Sequence, residues 1–378
     1  MQSPATSTAQ PRSGGLRSAE PSIPPHDSIS HDLEFCHVNH VAGTSIRQPR
    51  RIGVRRSLIK AIGFPALAVL SLACAHSEEL PTSEGLQATY DEKSGHVLIT
   101  DAGKPVLNYN YQTVPLPEGF AKGKYAIPRS NYLHPLFGPD GQELTTDWNK
   151  DHPHHRGIYW AWPEVQFNGE MGDLHALQRV WARPTGKIET RHGDDWAEVE
   201  AESRWMWEDK TPIVRETASI RAWKTAEHGR YVDLAFQFEA LEDGVTLARR
   251  GTKAYGGLNI RLAPIKDMKL VHDADPAEAT PRMAWQAANS TWAGATLPLS
   301  MVVFEKTGNP GYPADYAEYP DLPWFQPTFP KAGTRHALVK GEPLSLNYRI
   351  WIRKGPLPTE QQFRDQWKIY QKSDSKKK

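Results

Sequence analysis

The chain has 378 residues, room for two average domains or for one large all-β domain. Its 45 Lys+Arg against 44 Asp+Glu leave a formal charge of +1, which excludes a strongly basic nucleic-acid binder. A hydrophobic content of 39% excludes a multi-span membrane protein.

These averages conceal a composite. Residues 1–75 carry eight Lys/Arg and four acids, a net of +4, so the remainder is net −3. Both cysteines, Cys36 and Cys74, also fall in that first part, so nothing from residue 76 onward can form a disulfide or supply a thiolate. Residues 1–53 are rich in Ser, Pro, Arg and His and lack apolar periodicity. They read as a disordered extension, or as sequence upstream of a later translation start, for which Val54 is the candidate. Segment 54–75 reads as a signal peptide. Arg55-Arg56-Ser57-Leu58-Ile59-Lys60 is a cationic, twin-arginine-like start, and an apolar run of about 15 residues follows, short of the roughly 20 that span a bilayer. Ala73-Cys74-Ala75 fits cleavage after Ala75, while Ser71-Leu72-Ala73-Cys74 is an alternative lipobox that would retain Cys74 as a lipid anchor. The expected location is periplasmic or secreted.

Beyond the leader, strand patterns dominate. The first is at 95–100. The densest chemistry follows, in Asn131-Tyr-Leu-His134-Pro-Leu-Phe-Gly-Pro-Asp140-Gly and Asp151-His152-Pro153-His154-His155-Arg156-Gly157-Ile-Tyr159-Trp160-Ala-Trp162. If 154–160 is extended, His154 and Arg156 share one face and His155 the other. Further strands are predicted at 178–183, 197–207, 213–223, 232–240, 257–263, 299–304 and 345–353. In 197–207 the apolar face is Ala197, Val199, Ala201, Trp205 and Trp207, with Glu198, Glu200, Glu202 and Arg204 opposite, so both tryptophans are assigned to the core. Tyr255-Gly256-Gly257 sets a phenol beside close-approaching backbone or a bulge. Residues 309–330, with six prolines and Tyr312, Tyr316, Tyr319, Trp324, Phe325 and Phe329, read as a long stiffened aromatic loop. The C-terminus is helical: Thr359 and Gln362 make a capping box, and Phe363, Trp367 and Tyr370 form an i, i+4, i+7 stripe. Many strands and one helix predict a single all-β domain over 76–371, a large antiparallel β-sandwich or supersandwich with a C-terminal helix, and a solvated tail at 372–378.

Three histidines within four positions, beside an acid and an arginine, suit acid–base chemistry, because imidazole exchanges protons near neutral pH and its neighbours set its tautomer. Arg156 could stabilise developing negative charge. The bland reading is a turn whose histidines satisfy buried carbonyls. A divalent metal is the one cofactor the cluster suggests, held by His152 and His154 with Asp151 or His134 completing the set; the spacing matches no zinc finger and no His-Glu-x-x-His helix. Thirteen Trp and thirteen Tyr exceed what a routine core needs, and aromatic rings stack on the apolar faces of sugars. Trp160 and Trp162 are divided evenly between core and ligand wall.

The His134 and Asp151–Trp162 motifs, with Tyr255-Gly-Gly-Leu258, Asn309-Pro-Gly-Tyr-Pro313, Trp324-Phe-Gln-Pro-Thr-Phe329 and Tyr348-Arg-Ile-Trp-Ile-Arg353, resemble the secreted bacterial family called "methane oxygenase PmoA" over most of 85–356. The resemblance implies an exported β-sandwich protein of unproven activity, not methane oxidation, since the enzyme subunit behind that name spans the membrane many times. In general pattern such proteins are similar to galactose-mutarotase-like supersandwiches, a likeness of fold alone. The expectation is a carbohydrate-active enzyme of epimerase, lyase or hydrolase type. Its catalytic residues would come from His134, Asp151, His152, His154, His155, Arg156 and Tyr255, with Trp160, Trp162, Arg261, Tyr312 and Trp324 on the substrate. No general base is singled out. A non-catalytic glycan-binding protein and a metal-dependent enzyme at the same histidines are the alternatives.

Overall fold

Alternation in the strand Trp196–Trp207 sets the architecture: Ala197, Val199, Ala201, Trp205 and Trp207 are buried while Arg204 is exposed on the other side. Its neighbours Thr211–Trp223 and Arg230–Ala240 repeat the pattern, burying Ala218, Ile220 and Ala222, then Val232, Leu234, Phe236, Phe238 and Ala240. A computed structural model describes residues 85–273, 282–319 and 321–373. The 1–53 extension, the 54–75 leader and the end of the tail lie outside the described residues.

Three antiparallel sheets form the body. The eight-stranded sheet runs in the order Lys269–His272, Trp285–Ser290, Leu299–Glu305, Leu344–Lys354, Arg230–Ala240, Thr211–Trp223, Trp196–Trp207 and Val180–His192. The nine-stranded sheet begins with Leu86–Asp91, His96–Asp101, Lys104–Asn110 and Tyr132–Leu136. It continues through Ile158–Ala161, Gly257–Arg261, Trp324–Pro327 and Ala314–Tyr319 to Arg282–Met283. A four-stranded sheet adds Arg335–Ala337, Thr246–Ala248, Glu164–Phe167 and Glu170–Gly172. The all-β, sandwich-like architecture with one C-terminal helix is as expected from the patterning.

The two large sheets meet through aromatic side chains. Trp160 and Trp162 stack on each other at 4.5 Å, and both lie nearly perpendicular to Phe238 across the core, at 5.0 and 5.2 Å. This decides the even division above: both tryptophans pack in the core between the sheets. The helix Glu360–Lys372 carries the predicted capping box and docks Phe363 and Tyr370 on the outer face of the eight-stranded sheet, among Trp285, Phe304 and Trp351. Tyr312 stacks on Trp367 of that helix, so it belongs to this contact and not to a substrate wall. The expected 309–330 loop is instead mostly a hairpin, because Ala314–Tyr319 and Trp324–Pro327 pair antiparallel despite the flanking prolines. Among the described residues no helix is long and apolar enough to cross a membrane.

Candidate functional site

The histidine motif is a turn, not a strand. Extended structure begins only at Ile158, and the His155 N–H donates to the His152 carbonyl at 2.9 Å. Gly157 makes the exit: its φ is 58°, and a Cβ there would lie 2.3 Å from the Leu133 carbonyl oxygen, so only glycine fits. The turn sends His154 and His155 to the same side, with ring centroids 4.6 Å apart, and Arg156 elsewhere. The alternation expected for 154–156 therefore fails at its premise.

Arg156 is wholly buried. It pairs with both carboxylate oxygens of Asp147, donates to the Tyr132 hydroxyl at 2.8 Å, and lies 3.6 Å over the Trp148 ring. His134 contacts Thr145 Oγ1 at 3.0 Å, and Asp147 and Arg156 are among the charges acting on it. The Arg156 guanidinium is thus engaged by Asp147, Tyr132 and Trp148, and His134 by Thr145, contacts that brace the turn and set both residues apart from the other histidines.

The group that converges around His154 and His155 includes one histidine the sequence reading missed. His175 sits 4.7 Å from His154 and 5.1 Å from His155, centroid to centroid. It comes from the loop between Gly172 and Val180, which Asp173 organises by accepting from the Ala176 N–H at 2.7 Å and from Arg250 at 2.7 Å. Arg129 fastens the same loop by donating to the carbonyls of Leu174 and His175, and its guanidinium lies 4.2 Å over Tyr159. The Tyr159 hydroxyl is 3.0 Å from His175 Nδ1. No motif flags His175, since it stands alone in the sequence.

Around this trio lie the other expected residues. His152 is 4.8 Å from His155, and its Nδ1 is 3.0 Å from Asp151 Oδ2. Arg261 approaches Asp151 at 3.4 Å and also donates to the Leu322 carbonyl. Trp324 is 5.1 Å from His155, Tyr255 is 5.4 Å from His175, and the Tyr255 hydroxyl accepts from Arg250 Nε at 3.3 Å. Two exposed rings flank the cluster: Tyr125, 41% exposed, against His154, and Tyr319, 37% exposed, stacked on Trp324 at 4.4 Å.

The floor is the outer face of the nine-stranded sheet. Tyr159 pairs with Asn259, Arg261 pairs with Trp324, and the same register sets Gln326 opposite Asn259. Along this floor and the turn above it, polar atoms are buried without a protein partner: both ends of the Asn259 amide, Gln326 Nε2, Trp324 Nε1, Arg261 Nε, and Nδ1 of His154 and His155. Buried polar atoms are ordinarily satisfied, so such a run marks a place where buried water or a bound polar group would complete the hydrogen bonding.

Electrostatics follow from burial. Desolvation, then the charges of Arg129 and neighbouring groups, pushes His154 down to about 3; His155 and His175 are also pushed far below the usual imidazole value, chiefly by burial. These three are neutral near pH 7, with lone pairs to offer and little capacity to hold a proton. Burial works to raise the Asp151 carboxyl, but the His152 hydrogen bond and the Arg261 charge outweigh it and leave it below the ordinary range.

Fold and site together define an all-β, sandwich-like protein with a cluster of histidines packed over buried polar residues on the outer face of one sheet. The chain belongs to the family of unknown function DUF6807, whose model matches residues 96–368. No curated protein matches the sequence. Among solved structures, a putative kojibiose phosphorylase from the human microbiome superposes with a TM-score of 0.31 at 10% identity, over 77% of this chain and 34% of that one. A polysaccharide lyase gives 0.24 at 12% identity, over 65% of this chain and 33% of that one. The chain thus spans about a third of the length of each.

Proposed function

We propose that this protein is an exported carbohydrate-active enzyme whose chemistry lies in the recess formed by Asp151, His152, His154, His155, His175 and Tyr255. The observation that carries the reading is the run of unpartnered buried donors and acceptors on Asn259, Gln326, Trp324, Arg261 and the two histidines. A polyhydroxylated ligand presents donors and acceptors at closely spaced carbons and satisfies such a floor better than an apolar or singly charged one. Exposed Tyr125 and Tyr319 supply ring faces for the C–H surfaces of a sugar beside it.

The acid–base group is the Asp151–His152 pair. Asp151 accepts from His152 Nδ1–H, which leaves Nε2 of this partly exposed imidazole to take a proton from the substrate. Arg261 holds the carboxylate in place from the other side. Tyr255, whose hydroxyl accepts from Arg250, is the complementary proton donor.

The test is turnover on a panel of oligosaccharides and polysaccharides, read by product release and by change of anomeric or epimeric composition. Asp151→Asn and His152→Ala should lose turnover by a factor of about 100 or more while binding persists, the size expected for one positioned acid–base group. Tyr319→Ala should weaken glycan binding with little effect on folding. Wild-type protein that neither binds nor turns over any glycan in the panel would sink the proposal. Wild-type protein that binds without turnover would replace the enzyme reading with glycan binding.

A further inference from the structure

The three mutually facing histidines do something that acid–base catalysis does not require. One ligand nitrogen from each of His154, His155 and His175 lies within 4.8 Å of the other two. Each ring arrives with a nitrogen to spare: Nδ1 of His154 and of His155 is buried without a partner, and His175 engages Tyr159 through Nδ1, which leaves Nε2. Two of the three come from one tight turn and the third from a loop pinned by Arg129 and by the Asp173 carboxylate, so the set is held in place by contacts that do not involve the rings' free nitrogens.

We infer that His154, His155 and His175 bind one divalent transition-metal ion of the zinc class, with its remaining coordination position open to the recess beside Tyr255 and Trp324. The donor set is three imidazoles without a carboxylate. That disfavours magnesium and calcium, which take oxygen ligands, and suits zinc, copper, nickel, cobalt or iron. Three histidines with an open fourth position are the pattern of catalytic rather than structural zinc sites. Metal–nitrogen bonds of about 2.0–2.1 Å in a tetrahedron put the nitrogens about 3.4 Å apart, so the rings close by up to about 1.4 Å on loading. Tyr159 is a positioning residue: its hydroxyl lies 3.0 Å from His175 Nδ1, and accepting that N–H would hold the ring in the tautomer that leaves Nε2 as the ligand. The charges facing the site are mixed. Arg129, Arg250 and Arg261 oppose a dication, and Asp151 acts in the opposite sense.

The ion occupies the recess proposed for catalysis, but the inference stands on the imidazoles alone. A protein that loads metal yet acts on no glycan overturns the functional reading and leaves this one intact; the converse result does the reverse. The experiment strips the full-length purified protein with chelator and titrates it with Co2+, following the visible bands of tetrahedral cobalt, then with Zn2+ in competition. One equivalent is expected. His155→Gln and His175→Gln should each weaken binding by roughly 100-fold or more, and Tyr159→Phe by about 10- to 100-fold, the range for residues that orient a ligand. His192→Asn, at the exposed end of the strand Val180–His192 and outside the trio, should leave affinity unchanged. His154→Ala, on a partly exposed ring, covers the case in which a buried-histidine variant does not fold. Wild-type protein with no stoichiometric Co2+ or Zn2+ binding, or folded variants of the trio that bind as tightly as wild type, would overturn the assignment.

Discussion

Replacing Glu216 with Gln should stabilise the protein at pH 8 and leave it nearly unchanged at pH 4. Glu216 lies in the core, 3% exposed, with its carboxylate accepting from Trp205 Nε1 at 2.6 Å. Burial raises its pKa from 4.5 to about 7, against smaller lowering contributions from the Trp205 hydrogen bond and the Arg129 charge. Because the folded value exceeds the unfolded one, the folded state holds the proton more tightly. The stability this contributes is fully present below pH 4.5 and is lost as pH rises to about 7. A shift of about 2.5 units at 1.36 kcal/mol each makes the loss about 3 kcal/mol. Gln keeps an acceptor for Trp205 and never ionises, so it escapes the loss. Chemical denaturation from pH 4 to pH 8 reads this directly; thermal melts should show a gain of roughly 6 °C at pH 8, at about 2 °C per kcal/mol for a domain this large. A variant whose stability differs from wild type by the same amount at every pH would refute the reasoning. So would one less stable than wild type at pH 8.

Trp160→Ala should cost about 3–5 kcal/mol of stability, because it removes a ring stacked in the core; a loss of glycan affinity with an unchanged melting temperature would show instead that this ring faces ligand. Asp147→Ala leaves the guanidinium of Arg156 buried and unpaired, and should destabilise by about 3–5 kcal/mol in denaturant titration. Gly157→Ala forces a Cβ against the Leu133 carbonyl at a left-handed φ and should cost at least about 2 kcal/mol, with the histidine turn displaced; unaltered histidine ring resonances by NMR would contradict this.

Much of the fold was legible because a half-buried strand writes itself as a period of two. Ala197–Trp207 and Val232–Ala240 were found on that signal, and the C-terminal helix on its capping box and its i, i+4, i+7 stripe. The signal fails where both faces are covered. Ile158–Ala161, Gly257–Arg261 and Trp324–Pro327 are buried on both sides, so their alternation is masked, and Trp160 could not be divided between core and ligand from the sequence. The hairpin at 314–327 was hidden by its prolines. For the site, local density in the sequence located the histidine turn but misdirected the roles within it. Arg156 and His134 are near in sequence and turn away; His175 is remote in sequence and turns in. Nothing local marks a residue whose place is fixed by a guanidinium 46 positions upstream and a tyrosine 16 positions away.

The neighbouring strands beneath the recess have a consequence for how it can change. Trp324 projects to the recess and Phe325 to the core, and their register against Arg261 and Ile260 is fixed by core packing. The histidines, by contrast, hang from a turn and a loop, and the exposed tyrosines from separate segments again. Chemistry, floor and rim are therefore carried by independent pieces of backbone. Tyr319 rests on Trp324 and can be exchanged without direct contact to an imidazole, whereas Tyr125, 5.0 Å from His154, is coupled to the histidine turn.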